Sequence, residues 1–272
     1  GIATAAARIK AVACDREIFS FGSRRQHPAI ATMVERSAWI GGVDGVSNTC
    51  APDGLPLAGT MPHAFVMCYP SPDEAFMEFD RHSPPGVPRI MLCDTFCDEK
   101  RESLTGARCG AEAVRLDTPR SRRGDMRAIL EEVRWELDAA GYPGVRIFLS
   151  GGVTLDDVAR YRDIVGAFGV GGAIANAPVI DFAMDMVEKE GKKCAKRGKR
   201  SGAKQVWEFP GGRHVTLPVE VAGPPGAEPL LQPRIRGGSV LSRSTAEEAR
   251  QRVLARIPIL RDRGQGGQRG RA

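Results

Sequence analysis

Two carboxylates, Asp94 and Asp117, close the apolar runs Arg89 to Cys93 and Glu112 to Leu116, and Arg115 stands two positions before the second of them. Residues i and i+2 of a strand share a face, so Arg115 and Asp117 point the same way. Acids at strand ends can hold sugar hydroxyls or a hydrated Mg²⁺, and a guanidinium adds a fixed positive charge. A plain structural ion pair would use the same residues. Further on, Ser150-Gly151-Gly152 and Gly169-Val170-Gly171-Gly172 flank one short helical stretch. Glycines at such turns let backbone N–H groups approach phosphate oxygens, with the helix dipole adding to the attraction. Either turn alone could serve only as a tight connection; two on consecutive strands favour phosphate. Arg24 and Arg25, beside Phe21, offer a clamp for a carboxylate or phosphate next to an aromatic face, although an arginine pair is more commonly a solvated surface feature. His63 follows Thr60-Met61-Pro62 in a constrained turn, where a lone histidine is more often structural than catalytic. Two acids, an arginine and two phosphate-type turns together describe a phosphosugar site.

The elements that must position these residues are readable from Val87 onward. Met126, Ile129, Leu130, Val133 and Leu137 keep helical spacing, Asp125 can cap the start and Gly141 can end it. A strand over Val145 to Leu149 follows, then a capping-box start at Thr154 and Asp157, a short helix, and a strand over Val165 to Phe168. Strands alternating with helices imply a parallel sheet buried on both faces, hence a doubly wound sheet or an α/β barrel. Polar or glycine residues at the carboxyl ends of four successive strands favour the barrel, whose active sites lie on that face. This barrel is expected over residues 1–190. A smaller β-rich appended domain is expected over residues 191–258, where QVWEF and PGGRHVTLPVEVAG read as strands, and a disordered basic tail over 259–272.

The chain has 272 residues, a formal net charge of +6 and 42% hydrophobic residues, which suits a globular enzyme and permits anionic ligands. No window approaches the ~18 apolar residues of a membrane span, and nothing at the start reads as a signal peptide, so a cytoplasmic protein with no membrane partner is expected. The seven cysteines have no CxxC spacing; Cys93 and Cys97 form a CxxxC pair with no second pair, and neither zinc nor any other resident metal is expected. Basic residues cluster at 192–200 and beyond Arg243, yet no interleaved aromatics or nucleic-acid module accompany them, so nucleic acid is not an expected partner. The opening GIATAAARIKAVA reads as a helix that begins inside a fold.

The segments FGSRRQHP, GGVDGVSN, GTMPHA, CDTFCDEK, VRLDTPRSRRGD, LSGG, AFGVGG and KRGKRSG, in this order, resemble the nicotinate phosphoribosyltransferase family, particularly its archaeal members, over roughly Gly1 to Lys204. The resemblance implies a type II phosphoribosyltransferase with an incomplete α/β barrel that joins nicotinate to 5-phosphoribosyl 1-diphosphate with Mg²⁺, coupled to ATP. On this reading His63 matches a histidine phosphorylated by ATP, and Thr60 and Arg115 match nicotinate-binding positions. Phe21 and Arg24 match those around the pyridine ring and substrate phosphates, Asp94 and Asp117 the acids near ribose and metal, and Asp44 a ring-side acid. Ser150, Gly151, Gly152, Gly171 and Gly172 would hold phosphate. The resemblance also implies a homo-oligomer with its active site near the subunit interface. Gly172 stands where relatives often carry Thr, the cysteine-rich knuckle of some archaeal relatives has no counterpart over Phe209 to Gly238, and the family's N-terminal segment is missing. Nicotinamide or quinolinate as substrate, a non-catalytic truncated paralogue, and a basic nucleic-acid-binding module are the competing readings.

Overall fold

The computed structural model describes residues 1–52, 54–96, 98–121 and 124–266. Two compact units emerge: Gly1–Pro178 together with the chain from Ala246 onward, and Val179–Thr245.

The first unit runs α1 (Ile2–Ala13), β1 (Glu17–Ser20), α2 (Ala31–Ile40), β2 (Gly45–Val46), α3 (His63–Met67), α4 (Pro72–His82), β3 (Ile90–Leu92), α5 (Glu99–Arg108), β4 (Ala113–Leu116), α6 (Met126–Ala139), β5 (Arg146–Leu149), α7 (Leu155–Tyr161), β6 (Ala167–Val170) and α8 (Gly172–Ala175). Its six strands are all parallel, in the order β2-β1-β6-β5-β4-β3. Followed around the sheet, the strands keep chain order, with β6 returning beside β1 and an opening left between β2 and β3. This is an incomplete α/β barrel. Val114, Leu116, Ile147, Leu149, Phe168 and Val170 belong to the core that includes the helices, whereas Ile90, Ala113, Phe148 and Ala167 form a second cluster with Phe19 and Phe21. That division is the alternation of strand side chains between two faces, both buried.

Local signals behave as their chemistry requires. Asp125 accepts the Arg127 N–H at the start of α6, Met126, Leu130, Val133 and Leu137 are buried along one stripe, and Gly141 follows with φ +87°. At α7, Thr154 and Asp157 complete a reciprocal capping box. The final strand lies two residues later than its pattern suggested. Gly169 is inside it, paired with Phe19, because the Phe21 ring occupies the space a side chain would need: a Cβ on Gly169 would sit 2.5 Å from that ring.

The second unit contains a ribbon of β7 (Glu188–Lys189) and β8 (Lys192–Lys193), an antiparallel sheet in the order β10-β9-β11 formed by β9 (Lys204–Phe209), β10 (Arg213–Pro218) and β11 (Glu228–Pro229), and a ribbon of β12 (Ile235–Arg236) and β13 (Ser239–Val240). The expected boundary at 190 therefore lies at 178, and the unit expected to run to 258 ends at Thr245. From there α9 (Ala246–Leu254) rejoins the barrel, with the Arg250 guanidinium 3.6 Å from the Trp39 ring and donating to Val43 O at 2.9 Å. The stretch expected to be disordered from 259 begins inside α10 (Ile257–Gly266), where Arg261 donates to the carbonyls of Ala11 and Cys14 at 3.1 and 2.7 Å. Composition could not show those acceptors at the end of α1. Residues 267–272, and Cys97 of the CxxxC pair, lie outside the described residues.

Candidate active site

The residues singled out by chemistry gather at the carboxyl ends of the barrel strands. Phe21 follows β1, Asp117 follows β4, Ser150 follows β5, Gly171 follows β6, and Asp94 lies just beyond β3. Parallel pairing brings them level: Phe21 N–H donates to Val170 O at 2.9 Å, Ser150 N–H to Leu116 O at 2.8 Å, and Cys93 N–H to Arg115 O at 2.9 Å.

Arg115 organises the group. Its Nε donates to Ser150 Oγ at 2.8 Å, one terminal nitrogen to Asp117 Oδ2 at 3.0 Å, and the other to Thr60 Oγ1. Its guanidinium carbon lies 5.1 Å from the centre of the Phe21 ring. Burial lowers its pKa while Asp117 and Asp94 oppose that shift, and a guanidinium keeps its charge under such conditions. Five N–H groups are available and three are used, which leaves two for a ligand. Phe21 stacks on Phe148 at 5.8 Å and 19°.

Asp117 Oδ1 accepts from Ser150 Oγ at 2.9 Å. Asp94 Oδ2 accepts the Asp117 N–H at 2.5 Å and the Thr118 hydroxyl at 2.9 Å, whereas its buried Oδ1 has no hydrogen-bond partner among the described residues. Burial raises the pKa of this carboxyl, against the lowering effect of the Thr118 and Asp117 hydrogen bonds. His63 opens α3; its Nε2 is 3.7 Å from Asp117 Oδ2 and 4.0 Å from Asp94 Oδ1, and its Nδ1 is 3.2 Å from Thr95 Oγ1.

Of these groups Phe21, Thr60, Arg115 and Asp117 border a cavity of about 750 Å³, whose wall also includes Arg24, Arg25 and glycines of both turns, whereas Ser150, Asp94 and His63 are not on that wall. The two turns differ. Gly151 has φ +87°, and a Cβ there would meet the Asp117 carbonyl oxygen at 2.7 Å, so this glycine permits the acid to pack close. At the start of the helix after it, α7, the Thr154 side chain accepts the Asp157 N–H, and Asp157 places a negative charge there. By contrast, α8 starts at Gly172 with no side-chain cap among the described residues, beside Arg24 and Arg25 on the cavity wall.

Asp44 does not join the site. Its Oδ2 accepts from Lys10 Nζ at 2.6 Å and Ile18 N–H at 2.7 Å, near the start of β1 rather than its end, and it is not on the cavity wall.

The family model described as "Quinolinate phosphoribosyl transferase, C-terminal domain" matches residues 2–185. The chain belongs to the quinolinate and nicotinate phosphoribosyltransferase family. It is similar to the nicotinate phosphoribosyltransferase pncB2 of Mycobacterium tuberculosis, 32% identical over 291 residues, covering 96% of this chain and 60% of that protein. The nicotinate phosphoribosyltransferase of Bacillus subtilis is 28% identical over 211 residues, 70% of this chain and 41% of the other. Among solved structures, nicotinate-nucleotide pyrophosphorylase from Pyrococcus furiosus superposes with a TM-score of 0.91 at 47% identity, over 96% of this chain and 70% of that one. Human nicotinic acid phosphoribosyltransferase gives 0.64 at 20% identity, over 94% and 68%, which speaks to the fold alone. The chain spans about 60% of the length of the first of these curated relatives.

Within this phosphoribosyltransferase barrel, sequence reasoning passed over several groups. Ser47, Asn48 and Gly59 line the cavity, and Asn48 Oδ1 shapes its own turn by accepting the Cys50 N–H at 2.8 Å. Thr118 and Glu102 lie behind the acids. Glu102 reads in sequence as one more charge on a polar helix; no local signal marks it as buried. Among the described residues, no helix is long and apolar enough to cross a membrane.

Proposed function

We propose that the chain carries the active site of a nicotinate phosphoribosyltransferase in NAD biosynthesis, joining nicotinate to 5-phosphoribosyl 1-diphosphate to give nicotinate mononucleotide and pyrophosphate, coupled to ATP hydrolysis. The observation that carries this reading is Arg115 beside the Phe21 ring, held by Thr60, Ser150 and Asp117 with two N–H groups to spare. An aromatic acid needs this pair: a surface for its ring and a fork for its carboxylate. The relatives in Mycobacterium tuberculosis and Bacillus subtilis are named nicotinate phosphoribosyltransferases, whereas the Pyrococcus furiosus protein is named for the nucleotide, which quinolinate would also yield by loss of CO₂.

The substrate phosphates would sit at Gly171, Gly172, Arg24 and Arg25 on the cavity wall, beside the start of α8, which has no side-chain cap among the described residues. Displacing pyrophosphate from the anomeric carbon develops positive charge on the ribose, which Asp117 on the cavity wall, backed by the buried Asp94, would stabilise. Mg²⁺ fits Asp94 and Asp117, since both offer hard oxygen donors and Asp94 Oδ1 is otherwise unused. Bound there with diphosphate oxygens, it would offset the leaving group's charge. His63, with Nδ1 against Thr95, presents Nε2 toward the two acids as the nitrogen for phosphorylation by ATP. In this reading the protein is cytoplasmic and works as a homo-oligomer with the active site near the subunit interface.

The test is product formation by the purified chain with 5-phosphoribosyl 1-diphosphate and Mg²⁺, offering nicotinate, nicotinamide or quinolinate, with and without ATP, alongside His63→Ala. Nicotinate mononucleotide formed from nicotinate alone, increased by ATP and lost in the variant, is the expected result. Product from quinolinate but not nicotinate would overturn the substrate assignment, and full ATP stimulation in His63→Ala would overturn the histidine's role.

A further inference from the structure

Glu102 sits in α5, three residues beyond its first position, with only 3% of its surface exposed. Its two carboxylate oxygens are used separately: Oε2 accepts the Thr95 N–H at 3.1 Å and Oε1 accepts the Phe96 N–H at 3.0 Å. Those two N–H groups belong to the turn immediately after Asp94. The Thr95 hydroxyl at that turn is 3.2 Å from His63 Nδ1. One buried side chain therefore ties down the backbone that bears both an acid and the partner of the histidine.

The arrangement is an expensive way to hold a loop. The charges acting on Glu102 are themselves carboxylates, Asp94 and Asp98, and burial raises its pKa. A buried carboxylate with carboxylate neighbours and only two neutral donors costs more than it returns to stability. What it does supply is two adjacent acceptors on one rigid stem, matched to two consecutive N–H groups.

We propose that Glu102 is a positioning residue for the reacting end of the site: by accepting both N–H groups of the Thr95–Phe96 turn it fixes Thr95 against His63 Nδ1 and Asp94 against Asp117. The catalytic consequence rests on the phosphoribosyltransferase reading above; the positional one does not. Glutamine at this position keeps the shape but presents one oxygen and one NH₂, so one backbone N–H faces a donor. The turn loses an anchor while α5 keeps its length.

The experiment compares the whole chain with Glu102→Gln, Thr95→Val and Thr95→Ser. Hydrogen exchange of the Thr95 and Phe96 amides and the ring resonances of His63 are read first, since both report position whatever the substrate. In Glu102→Gln these amides are expected to exchange at least ~10-fold faster and the His63 signals to shift, because a lost hydrogen bond to a charged group is worth about 1.5–3 kcal/mol. In turnover, kcat falls by ~10-fold or more while KM for nicotinate moves by less than ~3-fold, a split expected for a group that orients chemistry rather than binding. Thr95→Val, which leaves the turn's backbone bonds intact, shifts His63 and lowers kcat, and Thr95→Ser recovers most of the loss. Unchanged amide exchange and unchanged His63 resonances in folded Glu102→Gln would overturn the proposal. So would parent-like kcat in a variant whose turn has loosened. A parent chain inactive toward every base would count against the functional reading only, and the exchange and resonance measurements would still decide the role of Glu102.

Discussion

Arg115 is held at all three nitrogens by neighbours of different chemistry, which fixes the plane of its fork relative to the Phe21 ring. Lysine has the charge but neither the plane nor the stacking surface. Arg115→Lys is therefore expected to raise KM for nicotinate by ~10-fold or more, with Ser150 and Asp117 left partly unpaired; steady-state kinetics over a range of nicotinate concentrations measure it, and an unchanged KM would remove Arg115 from the binding site. The glycines after β5 separate two effects at neighbouring positions. Both have left-handed φ, +87° for Gly151 and +74° for Gly152, but only at Gly151 would a Cβ meet other atoms, the Asp117 carbonyl and carboxylate. Gly152→Ala should cost about 1–2 kcal/mol, the strain of the left-handed region alone, whereas Gly151→Ala should cost more and displace Asp117 as well. Urea unfolding and turnover of both variants test this, and equal losses would mean that the contact with Asp117 does not matter. At this scale the sequence was most legible where a residue type has few uses. Arg115, Asp117 and the paired glycines advertise themselves by chemistry and by their place after apolar runs. Asp44 shows the opposite case: a carboxylate beside a glycine-rich motif that the fold spends on Lys10 and the Ile18 amide.

The elements explain why some of the site could be read and some could not. Capping at Asp125, Thr154 and Asp157 is local, decided by bonds between residues two or three apart, and it appears where the sequence puts it. The β3–α5 connection depends on a helix folding its own side chain back beneath the preceding strand end, and no local pattern encodes that return. Its electrostatics give a pH signature. Burial raises the pKa of both Asp94 and Glu102, so the folded chain binds protons more tightly than the unfolded one at these positions. The slope of unfolding free energy against pH follows the protons bound unfolded minus folded, and is negative here. These two groups thus lend stability that is present in acid, below their ordinary carboxylate range, and is lost as pH rises through their elevated folded values. Glu102→Gln removes one of them. Urea midpoints measured from about pH 4 to 7 should decline less steeply in the variant than in the parent after the shared contribution of other groups is subtracted, and a variant curve parallel to the parent's would contradict the burial of an ionising Glu102.

For the whole molecule, the barrel was readable because strand and helix alternate with short connections, whereas the return of α9 and α10 to the first unit was not, since it rests on Arg250 and Arg261 reaching distant carbonyls. The segment that opens the second unit has a different character. Val179, Phe182 and Met184 are 91%, 88% and 99% exposed, three large apolar side chains within six residues. Such a concentration is unusual on a monomer's surface and is characteristic of an interface. In a homo-oligomer of the kind proposed, a second copy would be the partner to cover it, and a two-fold arrangement would present the same segment from both sides. Sedimentation of the purified chain is expected to show a dimer or larger assembly. Phe182→Asp combined with Met184→Asp should shift it toward the monomer by placing charge where apolar area was buried, while the barrel, which holds its own core, keeps its unfolding transition. An assembly unmoved by both charges would place the subunit contact elsewhere. Turnover in the same variant adds the decisive comparison: a site that draws on the neighbouring subunit loses activity in step with dissociation, and a self-sufficient one does not.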